Sequence, residues 1–178
     1  MRKTVLFIIV IMTLNQLQSQ DIIKISADLE LVRISNNAFM HVSYGEVPGY
    51  GRVAANGLIF IEGHKAILFD SPWNDTQTEV LITYLEEEMG LKMKGFVPNH
   101  WHNDCMGGLG YLKSRKIISY ANSLTQQIAR EKGLPVPDHG FSDSIVLRLG
   151  RKEVRSYYPG PAHSTDNIVV WIPSEKIL

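Results

Sequence analysis

Asn99-His100-Trp101-His102-Asn103-Asp104 is the stretch on which the reading of this chain turns. Lys94-Gly95-Phe96-Val97-Pro98 precedes it, a short apolar run ending at a proline and read as a buried strand. Cys105-Met106-Gly107-Gly108-Leu109-Gly110 follows, and Tyr111-Leu112-Lys113 reads as the start of a helix. A strand-to-helix loop is where binding and catalytic groups gather. Taken as extended backbone, the loop turns His100, His102 and Asp104 to one side, because residues two apart share a face. Two imidazoles and a carboxylate pointing together suit zinc. A bare H-x-H arises readily by chance, but the carboxylate in phase, the strand before it and the glycines behind it together do not.

His163 is the natural third nitrogen ligand. It stands in Pro159-Gly160-Pro161-Ala162-His163-Ser164-Thr165-Asp166-Asn167, a second loop between strands. Three histidines with one position left open form the catalytic zinc arrangement. Spacing permits His163 to meet the first loop and does no more than permit it. His41, His64 and His139 lack such surroundings and read as structural or surface residues. Asp70 closes the apolar run Ala66-Ile67-Leu68-Phe69. A carboxylate there either orients a ligand histidine from behind or caps the turn at Ser71-Pro72.

The remaining chain alternates strands and helices. Residues 29–34 read as a strand continued by 38–42, and residues 46–52 as a turn around Tyr50, either a hairpin tip or an ordinary surface turn. Asn56-Gly57 leads into a strand at 58–61, which returns through Glu62-Gly63-His64-Lys65 to 66–69 as a hairpin. Asp75 or Thr76 caps a helix to about Met89, with Val80, Leu81, Tyr84 and Leu85 as its apolar stripe. Residues 116–120 read as a strand, and Asn122 or Ser123 caps a helix that runs to Lys132 and stops at Gly133. Residues 144–149 and 153–158 form antiparallel strands around Gly150, and 168–172 a central buried strand.

Composition bounds the rest. The chain has 178 residues, 44% hydrophobic and 20% charged, enough for one domain with a core. Its 18 basic and 18 acidic residues balance, so no net field recruits nucleic acid or an anionic membrane. A single cysteine, Cys105, excludes an intramolecular disulfide. At the N-terminus, Arg2-Lys3 precedes an almost unbroken apolar run from Val5 to Leu14 and a polar tail to Gln20. Residues 1–20 therefore read as a secretory signal peptide, the apolar part being short for a bilayer span; a membrane anchor is the competing reading. Taking Arg2 and Lys3 from the 18 basic residues leaves 16 against 18 acidic ones. The expectation is an α/β domain over residues 21–178, exported to a bacterial periplasm.

These motifs resemble the metallo-β-lactamases. The likeness rests on His100-x-His102-x-Asp104, on His163-Ser164-Thr165-Asp166-Asn167-Ile168-Val169-Val170-Trp171, and on Leu68-Phe69-Asp70-Ser71-Pro72-Trp73. It points to the dizinc subclass with a three-histidine site and an Asp-Cys-His site. Related thioesterases and lactonases carry a histidine immediately after the aspartate, where this chain has Cys105. The resemblance implies an αββα sandwich with metals at the sheet edge. His100, His102 and His163 would hold the first Zn2+, and Asp104 would contribute to the second and orient a zinc-bound hydroxide that attacks the lactam carbonyl. The hairpin tip with Tyr50 would close over a β-lactam and Trp73 would line the pocket, while Asp70 and Cys105 would stand behind the ligands. In the family a cysteine and a further histidine complete the second site beyond the position of Leu178, so only the three-histidine site is complete here. The sandwich is then expected to be incomplete at the C-terminus, lacking a quarter to a third of the domain. The expected protein is a monomeric zinc hydrolase of β-lactam antibiotics. The alternatives are a thioesterase or lactonase of the same superfamily, or an inactive zinc-binding fragment.

Overall fold

The computed structural model describes residues 21–178; the signal-peptide reading of residues 1–20 lies outside them. In chain order the elements are β1 (Ile22–Ser26), β2 (Leu29–Ser35), β3 (Ala38–Val47), β4 (Gly51–Glu62), β5 (Lys65–Phe69), α1 (Asp75–Glu87), β6 (Lys92–Val97), α2 (Asn103–Met106) and α3 (Leu109–Ser114). They continue with β7 (Tyr120–Asn122), α4 (Ser123–Lys132), β8 (His139–Phe141), β9 (Ser144–Leu149), β10 (Lys152–Tyr157) and β11 (Val169–Trp171).

β1 to β6 form one sheet in sequence order, antiparallel throughout except for the parallel pair β5–β6. β5 is apolar at every position after Lys65 because both of its faces are covered. Ala66 and Leu68 pack with Leu81, Leu85, Leu109 and Leu112 of the helices, while Ile67 and Phe69 face the other way. There they meet Leu149, Val154, Ile168 and Ile172 of a second sheet, ordered β11-β10-β9. The layers are therefore helix, sheet and sheet, with the helical packing of the described residues on the outer face of the large sheet. Between the two sheets a cleft of about 570 Å³ stays open, walled by Leu58, Phe69 and Val97 on one side and by Val170, Ile177 and Leu178 on the other. No described helix is long and apolar enough to cross a membrane.

Several expectations are corrected. Asn74 caps α1, its side chain accepting from the Gln77 N–H at 2.9 Å, so the helix starts one residue earlier than its acidic start suggested. Thr78 and Ile82 complete its buried stripe and Val80 faces solvent. Asn56-Gly57 lies inside β4, because the hairpin with β3 is longer than its apolar stretch. The strand expected at 116–120 begins only at Tyr120, with a bridge at Ser119. The strand around Val170 is an edge: among the described residues β11 pairs with β10 alone, and Val169 is exposed. Near the C-terminus, Ile177 makes a single bridge to Ile172 across a turn.

Candidate metal centre

β5 and β6 run parallel, and the site lies off their C-terminal ends, where open α/β sheets collect ligands. The segment after β6 is not extended. It bends through residues 99–102 and enters the short helix α2, with His102 as the residue before its first turn. Asp104 therefore reaches His100 by a bend and a helical turn, its Oδ1 lying 3.9 Å from His100 Nε2. The side chains converge as expected, by a different backbone route.

His163 joins them from the loop between β10 and β11. His100 Nε2 lies 2.8 Å from His102 Nδ1, and His163 Nε2 lies 3.3 Å from the same atom. The rings meet nearly edge-on, with centroids 4.5 to 5.2 Å apart. Nitrogens held tetrahedrally at zinc–nitrogen distances sit about 3.3 Å from one another, so this donor set fits the ion. Burial, with the neighbouring imidazoles adding to it and Asp104 opposing it, holds His100 below the usual imidazole range. That favours the neutral, ligating form.

Asn99 and Asn167, to which the residue pattern assigns no role, bring the two loops together. The Asn99 carbonyl accepts from the Ile168 N–H at 3.0 Å, and its side-chain Nδ2 donates to the Ile168 carbonyl at 2.5 Å. Asn167 Nδ2 donates to Asn99 Oδ1, while Asn167 Oδ1 accepts from the Ser164 N–H. Fully buried Asp166 accepts from Thr125 of α4 at 2.7 Å and from Ser164 at 2.5 Å, which fixes the His163 loop to a helix. The asparagines flanking the histidine motifs were the available signal, but an asparagine in a loop carries no periodicity.

Behind the histidines sit Cys105 and Asp70. Cys105 Sγ lies 3.3 Å from His100 Nδ1, the ring nitrogen on the far side from His102. Burial, with Asp70 and Asp104 adding their charge, pushes its thiol far up, so it serves better to orient His100 than to bind metal. His100, Asp104 and Cys105 also form a second potential ligand group, but it shares His100 with the first. Among the described residues Asp70 bonds no histidine through its side chain and does not cap the Ser71-Pro72 turn. Its carboxylate accepts from the Asn99 N–H at 2.5 Å and from the Cys105 thiol, and burial pushes it up to about 7. His41, fully buried, lies with Nε2 2.9 Å from the Asp70 carbonyl and is held down at about 4 by burial. His64 and His139 are exposed.

Trp73 and Tyr50 lie in different settings. Trp73 packs its ring on Gly45 of β3 and donates Nε1–H to the Ser43 carbonyl at 3.3 Å, which braces the β3–β4 hairpin. Tyr50 stands 83% exposed at the tip of that hairpin.

The chain has relatives among known proteins. The chain is 46% identical over 176 residues to the metallo-beta-lactamase type 2 of Bacteroides fragilis, covering 99% of itself and 71% of that protein. The chain belongs to the metallo-β-lactamase family. It is also 36% identical to the metallo-beta-lactamase type 2 of Pseudomonas aeruginosa, spanning 85% of itself and 61% of that relative. Among solved structures, the metallo-beta-lactamase from Pontibacter korlensis superposes with a TM-score of 0.77 at 32% identity, over 82% of this chain and 67% of that one. No protein-family profile matches. Membership of the metallo-β-lactamases implies a bound metal, and the three convergent imidazoles are where this chain offers one.

Proposed function

We propose that the chain is a zinc-dependent hydrolase of the β-lactam ring, with His100, His102 and His163 as the ligands of one ion. The observation that carries this is the convergence of three imidazole nitrogens, 2.8 and 3.3 Å apart, from two loops in which His102 and His163 are 61 residues apart in sequence. Zinc in a three-nitrogen site with an open position supplies Lewis acidity that makes water nucleophilic near neutral pH. The chain's own groups do the rest. Asp104 is partly exposed beside His100, so its Oδ1 can accept a proton from incoming water and aim that water at a lactam carbonyl. Cys105 steadies His100, and Asn99 with Asn167 keeps the two loops at their spacing. The β3–β4 hairpin, braced by Trp73, carries Tyr50 over the substrate. On the N-terminal pattern at residues 1–20 we read the protein as exported to a periplasm, acting there as a monomer.

The test is to load the purified chain with zinc, count ions per chain and follow ring opening of a cephalosporin and a carbapenem. About one zinc and measurable ring opening are expected. His163→Ala should lose more zinc affinity than the roughly 10–100-fold that removing an outer partner costs. A zinc-loaded chain that opens no ring would end the hydrolase reading. One observation favours a second reading, zinc binding without turnover: both ligand groups among the described residues depend on His100. One bound zinc with intact antibiotic would support it.

A further inference from the structure

His41 is an expensive residue to bury where it stands. It lies on β3 with no exposed surface, and its Nδ1 has no hydrogen-bond partner among the described residues. A buried polar atom left unpaired is destabilising, a cost that a leucine at the same place would avoid. The other ring nitrogen has one contact, Nε2 to the carbonyl of Asp70 at 2.9 Å, which requires the Nε2–H tautomer. Asp70 is a non-glycine residue in the left-handed region, at φ 56°. A backbone in that conformation persists only where its surroundings hold it. Opposite, Gly57 leaves room for the imidazole: a Cβ there would collide with His41 Nε2 and lie 2.6 and 2.7 Å from the carbonyls of Phe69 and Asp70.

What the pinned backbone achieves is seen one bond further on. The Asp70 carboxylate reaches the Asn99 N–H, one residue before His100, and the Cys105 thiol, one residue after Asp104. It therefore grips the ligand-bearing segment at both ends. We infer that His41 is a positioning residue for the metal centre: by donating to the Asp70 carbonyl it aims the Asp70 carboxylate, which holds the His100–Asp104 segment in its ligating shape. The inference rests on the zinc-site reading above.

Two substitutions separate this role from simple packing. His41→Leu fills the volume and removes the donor; His41→Gln keeps an N–H at about the same reach. In metal-free protein, His41→Leu should speed amide hydrogen exchange at Asn99 at least about tenfold while Phe60 and Leu81 keep their rates. In cobalt titrations followed by the visible bands of the bound ion, it should weaken affinity about 10–100-fold, as loss of an outer partner does. His41→Gln should restore most of both. Equal losses in the two variants, or an unchanged Asn99 rate in His41→Leu, would overturn the inference. If His41→Leu does not fold, a long-range proton–nitrogen NMR spectrum of the unaltered chain still decides: protonated Nε2 supports the role and protonated Nδ1 ends it. If the unaltered chain takes up no cobalt, the zinc-site reading itself falls and this role goes with it. If that chain binds cobalt and both variants match it, the role alone falls.

Discussion

Gly57 has no room for a methyl group, since the carbonyls of Phe69 and Asp70 pass within 2.7 Å of where it would sit. Gly57→Ala should destabilise the chain by about 1–3 kcal/mol, as overpacking does, and urea midpoints would measure it. Beside it, two titrating groups pull stability in opposite directions. The raised Asp70 carboxyl contributes stability that is fully present below its ordinary value of 3.8 and is lost as pH rises through about 7. The lowered His41 contributes stability that is present above 6.5 and is lost as pH falls through about 4. In metal-free protein the two slopes offset between about pH 4 and 6.5. Asp70→Asn leaves His41 alone, so stability should climb across that window by up to about 1.4 kcal/mol per pH unit. His41→Gln leaves Asp70, so stability should fall. Slopes of one sign in both variants would refute this pairing.

At the scale of elements, the site is two loops sewn together before any ligand arrives. Asn167→Ala removes the bond to Asn99 and the bond from the Ser164 N–H at once. It should weaken zinc uptake about 10–100-fold while leaving the far-ultraviolet circular dichroism unchanged, because β10 and β11 keep their pairing. Loops of this kind also mark where the sequence was legible. The ligand types His100, His102, His163 and Asp104 could be read directly, since few other residues do their chemistry. The hairpin around Gly63 and the stop at Gly133 were legible because turns and helix ends have residue-specific backbones. The route by which Asp104 joins the histidines was not, because a two-residue spacing fits both an extended strand and a bend leading into a helical turn. Nor was the edge position of Val169, since an apolar run looks the same at the rim of a sheet as at its centre. The Asn99–Asn167 and Asp70–Cys105 contacts join residues far apart in the chain, and no local pattern records them.

Taken whole, the molecule holds its two sheets together by uneven means. Glu175 accepts from Ser35 at 2.7 Å and from Asn37 at 3.0 Å, and it pairs with Lys152 of β10 at 3.0 Å, tying the last turn to the large sheet. A short way off, the apolar cleft beside Leu58 and Ile177 stays open. The dye ANS should brighten on the folded chain, and Leu178→Glu, a charge at an 83% exposed position on the rim, should dim it. No brightening would mean that the cleft closes in solution. The three imidazoles complete the picture, for His100 and His102 follow β6 of one sheet while His163 precedes β11 of the other. An ion gripped by all three acts as a rivet through both layers. Zinc at a hundred times its dissociation constant should then add about 2.7 kcal/mol to the unfolding free energy, and EDTA should take that away. Chelators would behave towards this protein as denaturants, and its lifetime would track the free zinc of its surroundings.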